Sequence, residues 1–99
     1  MILIDATEIS KNTTASGGSF TYTKDGDTAA LAWSTTSPTL VIAASTSVPD
    51  SMRGQGVGEA LLNAFIADAK ENGYKIIPLC PYVKARGPRH PDWADVVSA

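Results

Sequence analysis

The sequence is poor in metal-binding and cross-linking chemistry. It holds one cysteine, Cys80, and one histidine, His90, among 99 residues. A single cysteine excludes an intramolecular disulfide and suits a reducing compartment. One Cys and one His cannot make up a Cys/His zinc site, so no metal is expected. Long apolar runs are also absent: none nears the roughly 20 residues of a membrane-spanning helix, and no membrane association is expected. The apolar start Met1-Ile2-Leu3-Ile4 is too short for a secretory core segment and leads into Asp5 without a cleavage site. A cytoplasmic setting is therefore expected. Charge of one sign is lacking too. Eight Lys and Arg against ten Asp and Glu give a net charge of -2, which argues against nucleic acid as a partner.

The length suits one domain over residues 1–99 with an α/β mixed sheet. Residues 1–18 are weakly patterned. Ile2, Ile4 and Ile9 suggest a short strand, and Lys11 to Gly18 reads as a loop. From Ser19 the period becomes two, with Phe20 and Tyr22 alternating with Ser19, Thr21 and Thr23. Lys24-Asp25-Gly26-Asp27 reads as a hairpin turn. Ala29, Leu31 and Trp33 mark a second strand, stopped by Ser37-Pro38. Thr39 to Val48, with consecutive Leu40, Val41 and Ile42, predicts a third strand buried on both faces. Val57, Ala60, Leu61, Ala64 and Phe65 form one helical stripe, widened by Leu62 and Ile66, and Asn72-Gly73 ends it. Tyr74 to Leu79 predicts a fourth strand, parallel to the third across a right-handed crossover. Pro81 opens a short helix over Tyr82–Arg86. Pro91–Val97 predicts a last one, packing Trp93 and Val97 on the domain.

The glycines concentrate where chemistry is plausible. Arg53-Gly54-Gln55-Gly56-Val57-Gly58 runs directly into the helical stripe, a pattern that bares backbone N–H groups at the positive end of a helix. The turn has no Gly-Lys-Ser/Thr ending, so it is not a P-loop. Nor does the next strand, Lys75-Ile76-Ile77, end in the acid that a dinucleotide fold needs. An anion cradle and a plain tight turn both remain open. Cys80 ends the fourth strand, where ligands gather in open α/β sheets, and precedes a helix start, which favours a thiolate. An inert, packed thiol is the alternative. The basic residues Lys84, Arg86 and Arg89 gather with His90 near the C-terminus, as a solvated face or an anion site.

The segment Val48–Leu62 resembles the acetyl-CoA-binding motif of the GNAT superfamily of N-acetyltransferases. The runs Ile76-Ile77-Pro78-Leu79-Cys80-Pro81-Tyr82-Val83 and Arg89-His90-Pro91-Asp92-Trp93 resemble its small, YidJ/NATD1-type branch. The resemblance spans about residues 19–97 and implies a minimal GNAT acyl-CoA N-acyltransferase fold. It implies acetyl-CoA as co-substrate and an amine acceptor. The pyrophosphate would lie on the turn Arg53–Glu59, with donors from Gln55, Gly56, Val57, Gly58 and Glu59. The pantetheine arm would follow the strand past Thr46 and Val48, in a splayed gap. Cys80 would carry the acyl group or orient the substrate. Tyr82 is read either as the acid for the departing thiolate or as a packing aromatic. The branch tends to carry a histidine where this chain has Ser45, within Ser45-Thr46-Ser47-Val48, so either that histidine is not needed for chemistry, or another base replaces it, or activity is lost. Three readings follow: an N-acetyltransferase, a CoA-binding sensor or interaction module without catalysis, and a nucleotide-binding protein. A monomer or weak homodimer is expected.

Overall fold

Alternation of apolar and small polar side chains lays out most of the sheet, and two-residue turns connect its first strands. The computed structural model describes residues 8–52 and 56–98. The strand expected around Ile2 and Ile4, and the turn residues Arg53, Gly54 and Gln55, lie outside the described residues. The elements are β1 (Ser10–Thr14), β2 (Gly17–Lys24), β3 (Asp27–Ser37), β4 (Leu40–Ser47), α1 (Val57–Asn72), β5 (Lys75–Pro78), α2 (Pro81–Arg86) and α3 (Trp93–Val96). They form the expected mixed α/β fold. The strands lie in the order β1-β2-β3-β4-β5. The first four pair antiparallel, and β5 joins β4 parallel, as the crossover through α1 requires. Among the described residues no helix is long and apolar enough to cross a membrane.

Three elements differ from the sequence reading. Lys11 to Thr14 is no loop but part of β1, paired with β2 from Ser10↔Thr21 to Thr14↔Gly17. All five β1 residues are exposed, so no hydrophobic alternation marks the strand. The β4 run is buried on one face only: Val41 and Ala43 are buried, while Leu40 and Ile42 are half-buried. Ser34 lies opposite Ile42 and Ser37 opposite Leu40, and these short side chains leave that face partly open. At the C-terminus Val96 is the buried valine, not Val97. Val97 instead bridges to Ile76 in parallel, and the Ser98 N–H donates to the Ile76 carbonyl at 2.8 Å. The end of the chain thereby covers the outer edge of β5.

The core lies between α1 and one face of the sheet. Phe20, Trp33 and Phe65 form a triangle of rings with centroids 5.2, 5.8 and 5.5 Å apart. Each such pair adds about 0.5–1.5 kcal/mol beyond its buried area. Gly18 makes room for the indole. A Cβ there would stand 2.5 Å from Trp33 Cζ2 and 2.3 Å from the Asn12 carbonyl. The stripe of α1 is centred on Leu61, Leu62, Phe65 and Ile66, with the expected Ala60 and Ala64 at its half-buried margin. Gly73 ends the helix at φ 77, and its N–H donates to the Ala69 carbonyl.

Asp68 ties β1 to this core. Its carboxylate accepts from Tyr74 Oη at 2.6 Å, Lys11 Nζ at 2.8 Å and Asn72 Nδ2 at 2.9 Å. Burial, then the hydrogen bond to Asp68, push the Tyr74 phenol well above its ordinary pKa. Asp68→Ala removes all three acceptor contacts and is expected to lower stability by about 1–3 kcal/mol, read as a fall in the thermal midpoint. Tyr74 contributes stability that is present while free tyrosine is protonated and is lost as pH rises above about 10. The alkaline fall in melting temperature should therefore flatten in Tyr74→Phe.

Candidate functional site

The site forms where the ladder between β4 and β5 stops. Their last rung is Ala43↔Pro78, and proline has no N–H with which to continue it. The chain then turns, and the Cys80 N–H donates to the Ala43 carbonyl at 2.9 Å. On its other side β4 carries a bulge: Trp33 pairs with Ala43 and Ala32 with Ser45, leaving Ala44 as the extra residue. Beyond Ala43, β4 runs on to Ser47 with β3 as its only strand partner among the described residues.

Opposite this open stretch, α1 begins without a cap. Gly56 is its N-cap, at φ 75, and makes no side-chain capping bond. A positive φ of this size favours glycine. The first intrahelical bond runs from the Ala60 N–H to the Gly56 carbonyl at 2.9 Å. The N–H groups of Val57, Gly58 and Glu59 thus precede the helical ladder, at the positive end of the dipole.

A cavity of about 580 Å³ joins these parts. Thr46, Val48 and Met52 line it from the β4 side, Gly56 to Glu59 from α1, and Tyr82 and Arg86 from α2. Tyr82 lies against the first turn of α1 because Gly58 has no side chain. A Cβ on Gly58 would stand 2.7 Å from the phenol oxygen and 2.9 Å from Cζ. Arg86, one helical turn on, sits 5.5 Å from the centroid of the Tyr82 ring. Burial is the main cause that pushes the Tyr82 phenol above its ordinary pKa, with Arg86 acting against it and Glu59 with it. The hydroxyl is therefore a protonated donor at neutral pH.

Among the residues singled out in the sequence, Thr46, Val48, Gly56, Val57, Gly58, Glu59 and Tyr82 meet around this one cavity. Arg53, Gly54 and Gln55 lie outside the described residues. Cys80 is 3% exposed and does not line the cavity. Its sulfur lies 3.3 Å from Thr46 Oγ1, behind a residue that does. Ser45 is exposed on β4 and also stands off the cavity. Met52, within the segment Val48–Leu62, lines it too, as does Arg86, which the sequence marked only as one of a basic cluster. Arg86 follows Tyr82 by four residues, a spacing that puts both on one helix face.

The arrangement offers a helix N-terminus, a phenol donor and a guanidinium to an anionic group, and the open β5-side edge of β4 to an extended, amide-bearing arm. A family model described as GCN5-related N-acetyl-transferase matches residues 19–96, from within β2 through α3. No curated protein matches the chain.

The Gly58–Tyr82 contact is testable by a double-mutant cycle. Gly58→Ala should destabilise the protein by about 1–3 kcal/mol, because the added methyl must displace the ring. In a Tyr82→Ala background the same change should stabilise by about 0.5–1 kcal/mol, the ordinary gain of alanine over glycine in a helix. Thermal or urea unfolding of the four proteins reads the cycle.

Proposed function

The chain belongs to the GCN5-related N-acetyltransferase family, and from that premise we propose that it is an acetyl-CoA-dependent N-acetyltransferase acting on an amine. Its five-stranded mixed sheet with few helices is a compact version of that family's fold. The observation that carries the proposal is the joining, in one cavity, of the uncapped start of α1 with the end of β4, whose β5-side edge has no strand partner among the described residues. An anionic pyrophosphate matches the first feature and a pantetheine arm the second. The Pro78-Leu79-Cys80-Pro81-Tyr82 run further supports the small, YidJ/NATD1-type branch.

In this reading the N–H groups of Val57, Gly58 and Glu59 hold the pyrophosphate, with Arg53, Gly54, Gln55 and Gly56 completing the turn. The pantetheine amides run along β4 past Thr46 and Val48. The amine nitrogen attacks the thioester carbonyl and forms the C–N bond. The C–S bond breaks, and the thiolate of CoA takes a proton from the Tyr82 phenol. The ammonium of the tetrahedral adduct loses its proton to solvent, and solvent returns a proton to the Tyr82 phenolate. Direct attack is the route we favour, because Cys80 is buried and off the cavity. Its contact with Thr46 keeps a second route in view, in which the thiolate of Cys80 takes the acetyl group first. We place the protein in the cytoplasm as a monomer or weak homodimer.

One observation favours the binding module instead. The described residues lining the cavity include one carboxylate, Glu59, and no histidine, and Ser45 stands where the branch tends to carry its histidine. Incubation with acetyl-CoA and a panel of amines, followed by mass spectrometry and assay of free CoA thiol, separates the readings. Acetylated amine with stoichiometric CoA is expected. Tyr82→Phe should lower kcat about a hundredfold with little change in affinity for CoA. Cys80→Ala should retain turnover. Bound CoA without product under all conditions would establish the module, and no binding would sink both.

A further inference from the structure

A second cavity, of about 240 Å³, adjoins the first and shares Glu59 and Arg86 with it as walls. Arg89 and His90 line it from the tail after α2, and Asn63 from α1. Its donors outnumber its single carboxylate. Among the described residues neither Arg86 nor Arg89 has a carboxylate within salt-bridge distance. The acids of the tail are engaged elsewhere: Lys70 Nζ lies 2.9 Å from Asp92 and 3.9 Å from Asp95. His90 Nδ1 accepts the Asp92 N–H at 3.0 Å, so a neutral ring carries its proton on Nε2 and has that N–H to donate.

The tail that presents these groups is fixed. Gly87 packs so closely under Trp93 that a Cβ on it would stand 2.6 Å from the indole. The His90 N–H donates to the Gly87 carbonyl at 2.9 Å, and the Trp93 N–H to the His90 carbonyl at 3.1 Å. The Lys70–Asp92 pair ties the same tail to α1. Two guanidinium groups and an imidazole N–H held at one wall suit a phosphate, since guanidinium matches its oxygens bidentately.

We propose that this second cavity takes the 3′-phosphate on the ribose of CoA, with Arg89 as the residue that distinguishes CoA from ligands lacking it. The inference rests on the acyl-CoA reading of the first cavity. In CoA the pyrophosphate and the 3′-phosphate hang from one ribose. A ligand with its pyrophosphate on the first turn of α1 therefore passes Glu59 and Arg86 and brings its second anionic group to Arg89 and His90. Arg86 lies on the shared wall and faces both groups, while Arg89 belongs to the second cavity alone.

The test is titration calorimetry of wild type and Arg89→Ala with CoA and with 3′-dephospho-CoA. Circular dichroism establishes that the variant is folded, as expected for an exposed arginine. Wild type should bind CoA about ten- to hundredfold more tightly than 3′-dephospho-CoA, the effect of one charge-assisted pair. In Arg89→Ala that ratio should fall to within about twofold. Equal binding of the two ligands by wild type would overturn the inference and leave the acyl-CoA reading standing. So would a ratio that persists in the variant, or uniform weakening of both ligands with the ratio kept. Failure of wild type to bind either ligand would overturn both.

Discussion

The structure depends on where β4 and β5 part. Pro78 cannot donate beyond the Ala43 rung, and the Cys80 N–H closes off the Ala43 carbonyl. Backbone groups in a sheet need partners, so the edge of β4 that runs on past β5 needs solvent, side chains or a ligand. The extra residue Ala44 lies next to this rung and lets β4 change its pairing with β3 at the same level. The result is an opening at the carboxyl end of a parallel pair, where open α/β sheets bind ligands. Thr46 and Val48 reach the cavity from this end of the strand.

The position of that opening is held by the best-packed part of the molecule. Ala43 faces Trp33 in the register, and Trp33 packs against Phe20 and Phe65 with Gly18 beneath it. The triangle of rings thus fixes β2, β3 and α1 together at the rung where the ladder ends. Because α1 is held there by Leu61, Leu62, Phe65 and Ile66, its uncapped first turn is held as well. Gly58 then sets the distance from that turn to Tyr82. The anion-binding groups owe their mutual placement to apolar contacts one layer below them, and interiors packed this closely deform little.

Much of this was legible in the sequence. The Phe20/Tyr22 and Ala29/Leu31/Trp33 alternations, the α1 stripe and the parallel return at Ile76-Ile77 are periodic signals, and they located β2, β3, α1 and β5. Gly56 and Gly58 marked the helix start, where positive φ and close approach of a ring both demand glycine. β1 was not legible, because a strand exposed along its whole length has no period to read. It is held by its ladder to β2 and by the reach of Lys11 to Asp68. The half-open face of β4 was hidden as well, since three consecutive apolar residues read alike whether one face is covered or two. Val96 displaced Val97 from the core because the chain leaves α3 extended, to pair at Ile76. At the site, Arg86 counted in the sequence only as one of a basic cluster. Its place over the Tyr82 ring and between two cavities depends on how α2 packs against the start of α1.

The central claim is that one ligand spans the first turn of α1 and the open end of β4. A crystal structure with CoA tests it most directly. The account predicts pyrophosphate oxygens within hydrogen-bond distance of the Val57–Glu59 N–H groups, about 2.7–3.2 Å. It also predicts the pantetheine arm bonded to β4 between Ala44 and Ser47, with the thiol nearer Thr46 than Glu59. CoA found elsewhere on the molecule, or a strand end at β4 left untouched by bound ligand, would contradict it.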